Sequence, residues 1–175
     1  MTQRRPAIFF DRDGVLNRDN GFTHHPGQFR WNDGAIAAVK AVNDAGWLAF
    51  VVTNQSGVAR GYYDEATVIR LHDWMNEELR ARGAHIDAFR YCPHLLVGNA
   101  ISEYAVDCDC RKPKPGMILD LLRRWSIDRA ASMLIGDQET DLEAAHAAGI
   151  AATLYSGGDL NAAVAAILQS PARKS

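Results

Sequence analysis

Two carboxylates two residues apart, Asp11 and Asp13, close a short apolar run in the stretch Phe9-Phe10-Asp11-Arg12-Asp13-Gly14-Val15-Leu16-Asn17. A buried strand that ends in acids places them where it leaves the sheet, the edge that carries ligand sites in open α/β folds. There one carboxylate can attack phosphorus and share a hard cation, while the other handles the proton at the leaving oxygen. Taken alone, Asp-Arg-Asp-Gly is also a good turn, with Gly14 supplying positive φ. Two later stretches repeat the pattern. Val52 runs into Thr53-Asn54-Gln55-Ser56-Gly57, whose hydroxyl and backbone N–H groups suit phosphoryl oxygens, or simply a solvated turn. Met133-Leu134-Ile135 runs into Gly136-Asp137, with Asp141 four residues on. These acids are either helix caps and first-turn residues, or Asp137 completes an oxygen-rich Mg2+ site with Asp11 while Asp141 orients Lys112 or the loop.

Cys92-Pro93-His94 and Cys108-Asp109-Cys110 supply three thiolates and one imidazole, a set that closes a tetrahedral zinc shell with no open position. Such a Zn2+ is structural: it pins the 92–110 loop and thereby places Arg111 and Lys112. Arg111-Lys112-Pro113-Lys114-Pro115 sets three cations just before a predicted helix start, either facing an anion or forming a solvated face. His24 and His25 are candidate substrate-loop residues; His72, His85 and His146 read as surface or packing positions.

The elements that must position these groups follow from periodicity. Strands are predicted at 7–10, 47–52, 86–91, 133–135 and 150–155, each an apolar run bounded by turn residues. Helices are predicted at about 34–45, capped by Asn32-Asp33; from an Asp64 cap along Val68, Leu71, Met75 and Leu79; and from Pro115 along Ile118, Leu121, Leu122 and Trp125. Two more run up to Ala148 and over 160–168. Residues 17–32 and 92–115 read as loops, and the tail from Ser170 is expected to fray. Alternating strands and helices define an α/β fold: a Rossmann-like parallel sheet with helices on both faces and right-handed crossovers. Loops after parallel strands emerge on one edge, so Asp11, Asp13, Thr53, Asn54 and Asp137 converge although they are distant in sequence.

The 175-residue chain, 47% hydrophobic, is expected to form a single domain over 1–175 with the zinc loop inserted. Its 19 basic and 21 acidic residues give no positive field for nucleic acid or an anionic membrane. The apolar run after Arg4-Arg5 is too short for a secretory core or a membrane span. A cytoplasmic chain is expected, which clustered, odd-numbered cysteines also suit.

With these residues assembled, the chain resembles the haloacid dehalogenase (HAD) superfamily of phosphatases. Asp11 to Asn17, Val52 to Gly57, Cys110-Arg111-Lys112-Pro113 and Gly136-Asp137 with Asp141 occur in that family's order. The Cys-Pro-His and Cys-Asp-Cys-Arg-Lys-Pro pieces are similar to those of the heptose 1,7-bisphosphate 7-phosphatases and the related histidinol-phosphate phosphatases. The resemblance implies that Asp11 is a nucleophile forming an aspartyl-phosphate, and that Asp13 is the acid for the leaving oxygen and then the base for water. It assigns Thr53 and Lys112 to the phosphoryl group, and Mg2+ to the Asp11 carboxylate, the Asp13 main-chain carbonyl and Asp137. Zn2+ falls to Cys92, His94, Cys108 and Cys110. Substrate contacts fall to Asp19, Asn20, Gly21, Phe22, Asn54, Gln55, Ser56 and Arg111.

The implied activity is release of the 7-phosphate from a small phosphorylated sugar, heptose 1,7-bisphosphate, by a monomer with a minimal cap, supplying cell-envelope glycan precursors. Positions 20 and 22 depart from the Asp-His-Gly-Tyr usual in the heptose enzymes, which bears on sugar selectivity. The alternative within the family is a histidinol-phosphate phosphatase. A phospho-acceptor signalling domain also clusters aspartates with a Thr and a Lys, but needs neither Asp13 nor a zinc loop. A catalytically dead zinc module is disfavoured because every motif acid is present.

Overall fold

The computed structural model describes residues 3–170; of the tail expected to fray from Ser170, Ser170 itself is the C-cap of the last helix and the rest, 171–175, lies outside the described residues. Five strands, β1 (Ala7–Phe10), β2 (Leu48–Asn54), β3 (Ala88–Cys92), β4 (Met133–Gly136) and β5 (Ala151–Leu154), form one parallel sheet in the order β3-β2-β1-β4-β5. β1 is therefore central, paired through Ala7 with Leu48 and through Ile8 with Met133. The strand order reverses at β1, the switch point where open α/β sheets carry ligands.

Both faces of the sheet are covered, which is why its strands read as continuous apolar runs. Ile8, Phe10, Ala49 and Val51 point into one core with α1 (Ala35–Asp44), α2 (Glu65–Arg80) and α5 (Leu160–Gln169). Ala7, Phe9, Leu48, Phe50 and Val52 point into the other, against α3 (Gly116–Arg124) and α4 (Glu139–Ala147). Each fully buried Phe, Ile or Leu contributes about 1.5–3 kcal/mol to holding the sheet edge in place.

Several boundaries differ from the sequence reading, each for a tertiary reason. α1 is entered through left-handed Gly34 with no side-chain cap, because Asn32 instead donates to the Val15 carbonyl and the Asp33 carbonyl accepts from Leu160 N. β2 runs two residues further than expected, carrying Thr53 and Asn54 to the edge paired with Tyr91 and Cys92. β3 starts at Ala88, not 86, because Asn76 of α2 bonds both backbone groups of Ile86. Trp125 is the C-cap of α3 rather than its last helical residue, yet it packs on the same core as Ile118, Leu121 and Leu122 and sets its ring edge-on to Phe50. The Asp64 cap of α2 is present, accepting from Thr67 N at 2.8 Å.

Candidate active site

At the carboxyl ends of β1, β2 and β4 a cleft of about 290 Å3 opens. Asp11, Asp13, Thr53, Lys112, Asp137 and Asp141 line its floor; Asp19, Gly21, Phe22, Asn54, Gln55 and Ser56 line its walls. The loop ends thus converge as the parallel sheet requires.

Asp11 keeps its backbone in the ladder, donating N–H to Ile135 O, before the chain turns away. Its Oδ1 accepts from Lys112 Nζ at 2.9 Å and from Arg12 N at 2.8 Å, which leaves Oδ2 outside those bonds. Lys112, buried, also donates to Val52 O at 2.9 Å and pairs with Asp141 Oδ1 at 2.6 Å. Its backbone is fixed by a reciprocal pair with the Asn54 amide: Lys112 N donates to Asn54 Oδ1, and Asn54 Nδ2 donates to Lys112 O. Asp141 does both things foreseen for it, since Oδ2 accepts the N–H groups of Asp137 and Gln138 at the start of α4.

One ammonium is shared by the buried carboxylates of Asp11 and Asp141, with half-buried Asp137 nearby. Burial accordingly pushes the Asp11 carboxyl up to about 7; Lys112 pulls it down, while Asp141 and Asp13 add to the rise. Burial opposes the charge on Lys112, but Asp11 and Asp141 outweigh it and hold the ammonium above its ordinary range. Oxygens of Asp11, Asp137 and Asp141 lie within 4.8 Å of one another, and Asp137 Oδ1 is buried without a hydrogen-bond partner. That donor set suits a hard divalent cation. Because Asp141 is already engaged by Lys112 and two backbone N–H groups, Asp11 and Asp137 are the carboxylates free to take it. Gly14 makes this possible: φ is +87°, and a Cβ there would sit 2.1 Å from Asp137 Oδ2. Gly14→Ala is expected to cost about 1–3 kcal/mol of stability and to raise the Mg2+ concentration needed for half-maximal activity. Unchanged melting and Mg2+ dependence would contradict this placement of Asp137.

Asp13 sits in a ring of donors. Asn17 Nδ2 reaches Oδ1 at 3.0 Å and Gln55 Nε2 reaches Oδ2 at 2.9 Å. Gln55 Nε2 also donates to Thr53 Oγ1 at 3.0 Å, and its Oε1 accepts from Tyr63 OH at 3.0 Å. Burial pushes the Tyr63 phenol up to about 12, so it stays a donor. Sequence reasoning passed over Tyr63 and Arg12, whose guanidinium is bonded to Asp13. The only sequence signal for Arg12 is its place between the two acids.

The structure does not bring every expected residue to the cleft wall. Asn20 is exposed, donating to Gln28 O. Arg111 turns toward the cysteine loop, its Nη1 donating to His94 O at 3.3 Å, and Lys114 pairs with Asp107 at the surface. Of the three cations, Lys112 alone enters the site. His24 stacks on Tyr63 and bonds Phe22 O, bracing the wall from behind; His25 accepts from Gly27 N. His72 is buried, whereas His146 is exposed and His85 faces Asp87.

Cys92, His94, Cys108 and Cys110 come together with their ligand atoms within 4.8 Å. The sulfurs of Cys92 and Cys108 are 3.5 Å apart, and His94 Nδ1 is 3.3 Å from Cys110 Sγ. The Cys110 thiol is pushed down to about 5, first by its hydrogen bond with Cys92. The donor set and its spacing match a tetrahedral zinc shell, two residues from Lys112.

A strand-end aspartate pair, a threonine on the neighbouring strand, a buried lysine and a further acid after β4 define a site of the HAD-like hydrolases. A family model described as HAD-hydrolase-like matches residues 109–173. A Rhodopseudomonas palustris protein named D-glycero-beta-D-manno-heptose-1,7-bisphosphate 7-phosphatase is 47% identical over 94% of this chain and 91% of its own length. An Escherichia coli K12 protein of the same name is 43% identical over 86% of this chain and 78% of its own. Among solved structures, the D,D-heptose 1.7-bisphosphate phosphatase of B. bronchiseptica, complexed with magnesium and phosphate, superposes with a TM-score of 0.78 at 37% identity, covering 92% of this chain and 86% of that one. The chain belongs to the family of D-glycero-beta-D-manno-heptose-1,7-bisphosphate 7-phosphatases within the HAD-like hydrolases.

Proposed function

We propose that this chain is a phosphoric monoester hydrolase that removes the 7-phosphate from D-glycero-beta-D-manno-heptose 1,7-bisphosphate and leaves heptose 1-phosphate. The observation that carries the chemistry is the Asp11 carboxylate on Lys112 Nζ at 2.9 Å, in one cleft with Asp13. The identity of 47% to a relative of that name supports the substrate and its beta anomer.

In this reading Asp11 attacks the 7-phosphorus, the bond from phosphorus to the sugar oxygen breaks, and Asp13 gives that oxygen its proton. Asp13 then takes a proton from water as the water attacks the aspartyl-phosphate, releasing inorganic phosphate and returning Asp11. Thr53 Oγ1 and Lys112 Nζ hold the phosphoryl oxygens, and alignment with charge neutralisation does most of the work. Mg2+ would be held by the Asp11 and Asp137 carboxylates and the Asp13 carbonyl; when bound it neutralises phosphoryl charge. The magnesium and phosphate of the B. bronchiseptica relative support that assignment. Asp19, Gly21, Phe22 and the Asn54–Ser56 turn face the sugar, and Arg111 would leave the His94 carbonyl to reach it.

Zn2+ on Cys92, His94, Cys108 and Cys110 would staple the loop that delivers Lys112. Cys108→Ser is expected to lose the metal and the order of residues 92–110, since structural zinc contributes roughly 10 kcal/mol or more. Full zinc content by elemental analysis would contradict the four-ligand assignment. No helix among the described residues is long and apolar enough to cross a membrane. The working unit is taken to be a cytoplasmic monomer, which light scattering checks as to size.

The function is tested by Mg2+-dependent phosphate release, comparing kcat/KM for the beta and alpha bisphosphates and L-histidinol phosphate. A preference of at least about tenfold for the beta anomer is expected. Preference for histidinol phosphate would overturn the substrate and keep the mechanism.

A further inference from the structure

Arg12 stands between the two site acids, yet its side chain is fully buried, unusual for a guanidinium that lacks bound partners. Nη2 donates to Asp13 Oδ2 at 2.9 Å and to Thr23 O at 2.7 Å, while Nε reaches Asp13 Oδ1 at 3.4 Å. Nη1 lies 3.3 Å from His72 Nε2. His72, on α2, is stacked on Phe89 with ring centroids 4.6 Å apart. Burial, and then the charge of Arg12, hold its pKa well below the usual imidazole range, so Nε2 is a neutral acceptor. A guanidinium fork fixes the plane of a carboxylate in a way that a point charge does not. With Asn17 and Gln55 on the same two oxygens, the carboxylate has little freedom to turn.

We propose that Arg12 is a positioning residue for Asp13, with His72 as the prop that holds the guanidinium in register. The proposal rests on the reading of Asp13 as proton donor and acceptor. A purely structural tie would be met by the bond to Thr23 O; contacts to both Asp13 oxygens instead aim a group whose work depends on orientation. A displacement of about 1 Å can cost on the order of a hundredfold in rate.

Arg12→Lys keeps a cation and removes the fork. It is assayed on the heptose bisphosphate, whose sugar oxygen needs a proton to leave, and on p-nitrophenyl phosphate, whose phenolate does not; Asp13→Asn runs beside it. On the sugar ester, kcat is expected to fall about a hundredfold, with KM within about threefold. On the aryl ester the first phosphoryl transfer should stay within roughly tenfold of wild type. A burst of p-nitrophenolate should follow, because hydrolysis of the aspartyl-phosphate still calls on Asp13 as base. Equal loss on both esters, a change in KM alone, or no loss overturns the proposal. Absence of selective loss in Asp13→Asn removes the reading of Asp13, and the proposal with it. Selective loss in Asp13→Asn but not in Arg12→Lys removes only the role of Arg12. Should Arg12→Lys not fold, His72→Phe keeps a ring on Phe89 without the acceptor; a selective loss of about tenfold is then expected, and its absence is equally fatal.

Discussion

Asp11→Asn is expected to abolish turnover while leaving the fold intact. The amide has no nucleophilic oxygen to form an acyl phosphate, so the loss should exceed about a thousandfold. Stability should hold or rise near neutral pH, because the wild-type carboxyl is pushed up to about 7 and its charge is disfavoured by burial. The sign follows from proton counting. Between an unfolded value near 3.9 and the folded value, the native state holds a proton that the unfolded chain has lost, so native stability falls as pH rises through that window. An amide does not titrate and is free of that loss. Residual activity above about a thousandth of wild type would count against covalent catalysis, and a collapsed melting temperature would show that Asp11 is needed for packing.

Lys112→Met should strike rate and fold together. The lysine is the shared cation of two buried carboxylates, and its removal leaves Asp11 and Asp141 facing each other unpaired. Breaking a buried pair from one side costs about 3–5 kcal/mol, and losing a cation on the transferred group costs about a hundred- to a thousandfold in kcat/KM. The stability deficit should also depend on pH in the metal-free protein. Without Lys112 the Asp11 carboxyl rises beyond its wild-type value. Below about pH 7 Asp11 is neutral in both proteins, so the linked part of the deficit opens only as pH rises through 7. Urea midpoints near pH 6 and pH 8.5 should therefore diverge more at the higher pH. Equal deficits, or activity within tenfold of wild type, would mean that Lys112 is peripheral.

Much of this site is legible in the sequence. Apolar runs that stop at Asp11, Thr53 and Asp137 place those groups at one sheet edge, because parallel strands all point the same way. The place of Asp141 one helical turn beyond Asp137 suggests an orienting group for Lys112 or the loop, and its two oxygens divide between both. The cysteine and histidine spacing was explicit enough to define a four-ligand cluster. What escaped was decided by contacts between distant segments. Arginine is most often exposed, and nothing local announces that Thr23 and His72 will bury Arg12. Arg111 and Lys112 are neighbours of the same type, but only Lys112 meets a buried carboxylate pair; Arg111 finds a carbonyl instead. Asn32 does not cap α1 because it has a better use, bonding the Val15 carbonyl next to the site.

The most direct test of the account is to trap the phosphoryl group in transit. Asp13→Asn protein is mixed with Mg2+ and 32P-labelled p-nitrophenyl phosphate, whose phenolate leaves without a proton from Asp13, then quenched in acid within a turnover and mapped by peptide. The account predicts hydroxylamine-labile label on the peptide containing Asp11, formed before free phosphate appears. Phosphate release without protein-bound label at any quench time, or label on a different residue, would contradict it.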